Sequence, residues 1–319
     1  MTKNFNNKIY DKGTIAMKHK YLSLVSIIFT LIFCISSLTG CIVIHTGGSY
    51  DYADRYDNAS KYITADGSAS VDGTVKRLYI YWVSGDVTVE THSRNDFLLS
   101  EDASSELSEK LRMHYFLDGE TLYVRFAASG SFRMIILGKS LTLKVPDNIE
   151  FDEIRISTTS ANIKVSEICA DEFDFNTVSG SIGFSGISAP ESLSVDVISG
   201  KVDGAAVGKI NSVDVNTVSG NVSLSLDAPE KIEIDTTSGS IEISTSSCPS
   251  EIDLDSVSGA LTLRLPSDSG FDAKLSSISG SITSDFPTQV SGSHYIYGDG
   301  TMKISAESIS GNIYIRKNS

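Results

Sequence analysis

Carboxylates recur in this chain at fixed offsets from a repeated Ser-Gly pair, and they are the side chains best placed to do chemistry. With each repeat Ser counted as zero, position minus three carries Asn176, Asp196, Asn216, Asp235, Asp255, Ser276 and Glu307. Position minus five adds Asp174, Asp214, Glu233 and Asp253. Oxygen ligands suit a hard divalent cation such as Ca2+. Asp196, Asp214, Glu233, Asp235, Asp253 and Asp255 are therefore a candidate weak cation-binding ladder, weighed against a plain solvated acidic face in which exposed repulsion costs little in salt. Hydrolysis or elimination would need a nucleophile, base or metal held in one place. His45, His92, His114 and His294 all fall outside the regular repeats, so the repeat Ser lack a companion base. The chain is read as a non-enzyme with no catalytic residue and no cofactor beyond that weak Ca2+ ladder.

The elements that place these groups follow from the repeat itself. Ser-Gly pairs stand at Ser179-Gly180, Ser199-Gly200, Ser219-Gly220, Ser238-Gly239, Ser258-Gly259, Ser279-Gly280 and Ser310-Gly311, with Ser160-Ala161 continuing the series backwards. Successive gaps are 19, 20, 20, 19, 20, 21 and 31 residues. Such spacing marks a solenoid in which each repeat is one coil. Apolar residues fall at minus six and minus four, as in Ile232/Ile234, and again at plus three and plus five, as in Ile241/Ile243. Alternation by two over short runs means strands with one buried face. Apolar residues at minus one (Val178, Ile198, Val218, Val257, Ile278) imply that the inward phase slips by one there, through a bend or bulge. The same slip counts against an antiparallel sandwich with Ser-Gly hairpin turns. The expected fold is all-β: a parallel β-solenoid, β-helix-like, of coils about 20 residues long. Each Ser-Gly is its turn, where a missing side chain lets the coil close. Pro190, Pro229 and Pro249, nine residues before their Ser, mark a second corner.

An earlier copy runs from Leu78 to Val89 around Ser84-Gly85. It is followed by an N-terminal β excursion with a short helix over Ser104 to Arg112 and a hairpin turning at Asp118-Gly119. An insertion from Pro287 to Gly300 explains the 31-residue gap, after which Ile304 to Ile315 is expected to be the last coil. Cys169 and Cys248 lie four coils apart, roughly 19 Å at strand spacing, and should remain free thiols.

Ahead of the repeats, Lys18, His19 and Lys20 precede the apolar stretch Tyr21 to Ile35, the layout of an export signal. Leu38-Thr39-Gly40-Cys41 then resembles the lipobox of bacterial lipoproteins, which implies that Cys41 carries the lipid and begins the mature chain. The alternative is a retained transmembrane anchor, since the apolar segment approaches bilayer length. Met17 is the expected start. The domain reading is a signal peptide over 1–40, a flexible tether over 41–75, the first coil plus excursion over 76–150, and the repetitive solenoid over 151–319. Residues of the tether, including Tyr50, Tyr52, Tyr56 and Tyr62, are open to either partner contact or packing on the body.

The 319 residues carry 26 Lys plus Arg against 40 Asp plus Glu, a formal charge of -14. Without residues 1–40, which hold five Lys and one Asp, the counts become 21 and 39, or -18. So acidic a body is a poor match for nucleic acid, whose phosphates need clustered Lys and Arg. The four Cys are too few for a disulfide scaffold.

The repeated Val/Ile/Thr-Ser-Gly-x-Val/Ile/Leu, the early Trp82-Val83-Ser84-Gly85-Asp86-Val87 and the closing Tyr297-Gly298-Asp299-Gly300 with Ser310-Gly311-Asn312-Ile313 resemble the bacterial adhesin-like family DUF4097. The likeness spans 76–317 and implies a repetitive β-solenoid at the cell surface with no catalytic residues. The expected function is that of an extracytoplasmic lipoprotein, anchored to the bacterial membrane, whose extended acidic face serves binding or adhesion. Its partners are the membrane, through the lipid, and a surface protein or glycan that the residues do not identify. The expected state is a monomer, because Arg316 and Lys317 oppose edge pairing at the last strand. The alternatives are a self-assembling structural envelope protein, and a sensor or regulator bound to another membrane protein.

Overall fold

Each repeat contributes two strand runs, one ending at its Ser and one beginning three residues later, as in Ser192–Ser199 followed by Val202–Ser219. A computed structural model describes residues 55–131 and 137–318. The export segment, Cys41 and the lipobox lie outside these residues. Among the described residues no helix is long and apolar enough to cross a membrane.

Equivalent positions of successive repeats pair in parallel: Leu193 faces Phe173 on one side and Val213 on the other, and Val215 faces Ile234. This is the expected β-solenoid. Positions minus six and minus four are buried in every coil, from Leu78 and Ile80 through Phe173 and Phe175 to Ile252 and Leu254. So are plus three and plus five, as in Ile241 and Ile243, except in the coil of Ile282–Ser284, where they are half-buried. Gly204 stands at plus five, where the Phe184 ring of the preceding coil fills its place; a Cβ there would come within 2.0 Å of that ring.

The expected phase slip does not occur. Inward alternation runs on to minus two, where Thr177, Val197, Thr217, Thr236, Ser256 and Ser308 are all buried. Minus one points outward, so its Val and Ile residues are a surface row and not core. The inward minus-two side chains lie beneath the corner. Thr158 donates to the Ala161 carbonyl at 2.9 Å, Ser277 to that of Gly311 at 2.8 Å, and Trp82 Nε1 to that of Lys139 at 2.9 Å.

At the corner, backbones stack too closely for any side chain. A Cβ on Gly200, Gly220, Gly239, Gly259 or Gly311 would sit 1.8–1.9 Å from the carbonyl oxygen of the adjoining coil's glycine. The ladder runs through this point, with Gly200 N–H donating to Ser219 O at 3.1 Å and Gly220 N–H to Ser238 O at 3.0 Å. Asn162, Asn221 and Asn312, at plus two, accept the next coil's N–H through their side-chain oxygens at 2.9 Å.

Both ends depart from sequence order. Residues of Ile304 to Ile315, read as the last coil, are inserted: Met302–Ser310 pairs with Glu251–Ser258 on one side and Phe271–Ser277 on the other. The spatially last coil is therefore Phe271–Ser277 with Ile282–Ser284. Arg316 and Lys317 are consequently not at an edge, and Arg316 pairs with Asp285 at 2.6 Å. At the other end, Arg77–His92 lies between Glu150–Ser166 and an outer coil made of Thr121–Arg125 and Lys139–Pro146. The excursion thus supplies a coil of its own. Its expected helix shrinks to one turn, Glu109–Leu111, while the hairpin turning at Gly119 forms as read.

Antiparallel strands cover the outer coils, Phe97–Ala103 and His114–Asp118 at one end and His294–Tyr297 at the other. The region read as tether is packed from Tyr56 onward, with Tyr56, Ala65, Val71 and Val75 buried and Ser68–Val71 paired to Phe97–Ala103. Under the first cap lies a buried ion pair. Lys139 donates to Glu101, to Leu111 O at 2.6 Å and to Phe126 O, with both ionic side chains at 3% exposure or less.

Candidate functional site

Parallel pairing at constant offset converts the sequence positions into columns. In spatial order minus three reads Ser157, Asn176, Asp196, Asn216, Asp235, Asp255, Glu307, Ser276. Minus five reads Arg155, Asp174, Ser194, Asp214, Glu233, Asp253, Ser305, Lys274. All six acids of the candidate ladder thus share one outer face. Toward the N-terminal end the columns become aromatic and cationic, with Tyr79, Tyr81, Tyr123 and Arg125 in the same register.

Asn relieves part of the repulsion: Asn176 donates to Asp174 at 2.5 Å and Asn216 to Asp214 at 2.7 Å. Arg155 reaches Asp174 at 2.8 Å, Lys231 reaches Glu233 at 3.3 Å, and Lys274 reaches Glu307 at 2.7 Å. Between them Asp235 and Asp255 adjoin directly. One Asp255 carboxylate oxygen is buried without a hydrogen-bond partner among the described residues. Burial chiefly, then the charges of Asp253, Asp235 and Glu307, push Asp255 up to about 7 against the pull of Lys274. Burial, then Glu233, Asp253 and Asp214, push Asp235 up to about 6. Burial first also raises Asp214 and Asp253. Asp196 is shifted the same way, but by surface area it is exposed, and solvent screening keeps its share of the strain small.

The arrangement is an electrostatic surface. Among the described residues no three His, Cys, Asp or Glu side chains converge as metal ligands. The described histidines are engaged at the ends: His114 with Thr64 at 3.1 Å, His92 with Asp96 O at 2.7 Å, and His294 with Asp272 at 2.9 Å. Cys169 and Cys248 are free and exposed.

Two features escaped sequence reasoning. On the second strand run a shallow groove of about 740 Å3 is floored by Gly183, Ser185, Ala205 and Ser225 and rimmed by Lys164, Glu242 and Arg264. Its signal was the small residues at plus four and plus six. The other is the outward minus-one row, hidden by assigning it to the core.

These features define a parallel β-solenoid, covered at both ends, with an acid-rich outer face. The Toastrack DUF4097 family model matches residues 72–316, and the chain belongs to that family. No curated protein matches the chain. Solved structures similar to it include a candidate adhesin from Bacteroides fragilis, at 11% identity and a TM-score of 0.43, covering 79% of this chain and 98% of that one. Another is a candidate cell adhesion protein from Clostridium sporogenes, at 13% identity and a TM-score of 0.27, covering 79% and 99%. A third is a candidate lipid-binding protein from Parabacteroides distasonis, at 14% identity and a TM-score of 0.40, covering 80% and 98%. At these scores the likeness carries no argument about function.

Proposed function

We propose that the chain is a non-enzymatic surface module, held to the membrane by a lipid on Cys41, that presents the acid-rich face of its solenoid for binding or adhesion. The observation that carries this reading is the unbroken register of the minus-three and minus-five columns, which aligns carboxylates over successive coils. An extended rigid face suits a repetitive or extended partner, as in other stacked-repeat proteins. Covered ends weigh against the end-to-end assembly alternative, because they remove the long open edges it would use.

The test is retention of intact cells producing the chain on a host-matrix or cell-wall surface. The reading expects retention to fall in Asp214→Asn/Asp235→Asn/Asp255→Asn cells and to be lost in Cys41→Ser cells, with the chain still produced. Equal retention by the acid variant and the parent would remove the acidic face from the account. Membrane retention of the Cys41→Ser chain would remove the lipid anchor.

A further inference from the structure

The minus-one row, read in spatial order, is Val83, Thr159, Val178, Ile198, Val218, Thr237, Val257, Ile309, Ile278. Seven of the nine are Val or Ile, and exposure reaches 41% at Val178, 38% at Ile309 and 72% at Ile278. Single exposed apolar residues are ordinary on a protein surface, but a contiguous row is not. Stacking of β-branched neighbours half-covers the middle of the row and leaves its outward rim uncovered. We infer that this ridge is a contact surface for a second copy of the chain, with the two stacks side by side and pointing the same way.

Three observations select that occupant. A ridge with one β-branched side chain per coil, seven of them apolar, has a period of about 4.8 Å, and a second identical ridge matches that period along its whole length. The ridge is also flanked unequally. On one side is the acid-bearing minus-three column; on the other are the repeat Ser and the plus-two row, close to neutral, with one acid, Asp86, and one base, Lys201, among Asn, Ser and Ala. A two-fold axis parallel to the stack sets the acidic flank of one copy against the Ser/Asn/Lys flank of the other. A two-fold axis across the stack would set acid against acid, at a cost of self-repulsion. Finally, eight spacings give a ridge about 38 Å long, and a contact about 10 Å wide covers ~800 Å2 in total, below the usual size of a stable interface. Such a contact is weak in dilute solution and is populated when tethering to one membrane raises the local concentration. It rests on the fold and on the membrane anchor of the proposed function, which membrane fractionation of the same cells checks separately, and not on the acidic face's having a ligand.

Cysteine crosslinking on intact cells tests this directly, in a chain carrying Cys169→Ser and Cys248→Ser. In the same-direction pair each ridge position meets its own copy. Val178→Cys, Val218→Cys and Ile309→Cys should then each give disulfide-linked dimer under mild oxidation, at least about fivefold above Ser223→Cys on the opposite strand run. Adding Ile278→Asp and Ile309→Asp should abolish the Val178→Cys dimer. Crosslinking through Val218→Cys alone would mean opposed stacks and overturn the proposal. So would dimer no greater than the Ser223→Cys control, or dimer indifferent to the two Asp substitutions.

Discussion

Replacing Gly220 by Ala should break the stack at its tightest point. The added Cβ would lie 1.8 Å from the Gly200 carbonyl oxygen, and both partners are backbone, so no side chain can swing away. Reaching even 3.0 Å requires the coils to part by about 1.2 Å at a ladder whose strands sit ~4.8 Å apart. The bonds Gly200 N–H to Ser219 O at 3.1 Å and Val202 N–H to Asn221 O at 2.9 Å would then exceed useful length. Two ladder bonds lost at a half-exposed corner, plus the overpacking itself, amount to about 3 kcal/mol. For a domain of this size that is a fall of about 6–12 °C in melting temperature. Gly183→Ala is the control, because its nearest neighbours would be 3.9 Å away. Both substitutions restrict the unfolded chain alike, so their difference isolates the native clash. Far-UV circular dichroism melts of the two variants decide it. A Gly220→Ala melt within about 1 °C of the parent, or an equal loss in Gly183→Ala, would refute the close-stacking account.

Three other perturbations have defined signs. Stability should rise as pH falls from 8 to 5. Folded Asp255 and Asp235 take up protons near 7 and 6, unfolded carboxyls do so only near 4, and the cost of the charged stack is complete above about 7. Asp255→Asn should therefore gain about 1–2 kcal/mol at pH 8, after allowance for solvent screening, and about a third of that at pH 5, where the unfolded carboxyl is still ionised; equal gains at both pH values in urea melts would contradict this. Thr236→Val should stabilise by about 1 kcal/mol, since its buried hydroxyl has no hydrogen-bond partner among the described residues and Val197 already fills the same column; a loss would point to a buried water bonded there. Lys139→Met should cost about 3–5 kcal/mol by stranding Glu101, and Lys139→Met/Glu101→Leu should recover most of it; a double variant no better than the single would deny the pair its role.

The coil repeat was legible because every Ser-Gly corner forces the same backbone approach, so glycine and the alternating Ile/Val/Leu pairs recur at one spacing. The acidic columns followed from that register alone. The phase at minus one was misread because hydrophobicity and burial part company there: Thr236 and Ser256 are polar yet inward, while Ile278 is apolar yet outward. A buried hydroxyl beneath a corner and a β-branched residue on a strand surface both violate the simple pattern. The swapped ends were illegible for another reason. A parallel strand pairs equally well with any coil of the same pattern, so sequence order cannot say that Met302–Ser310 enters between two earlier coils. The outer coil over Thr121–Pro146 did not announce itself as a repeat because the strand that continues it reaches Leu141 twelve residues after its Ser129-Gly130 pair, where the other repeats need only three. The groove across Gly183 and Ser225 was missed because small residues carry no chemical signal until their neighbours are known.

Coil order is what aligns the acidic columns, the apolar ridge and the glycine corners, and a pair of cysteines reads it most directly. With Cys169→Ser and Cys248→Ser as background, Ser258→Cys/Ser310→Cys places the two thiols on adjoining strands, because Ser258 pairs with Ser310. Ser258→Cys/Ser279→Cys joins repeats that are neighbours in sequence but two strands, about 9.6 Å, apart in the fold, beyond disulfide reach. In dilute protein under mild oxidation, mass spectrometry should find an intramolecular disulfide in the 258/310 pair and free thiols in the 258/279 pair. Closure of 258/279 with 258/310 left open would contradict the inserted coil and the column order built on it.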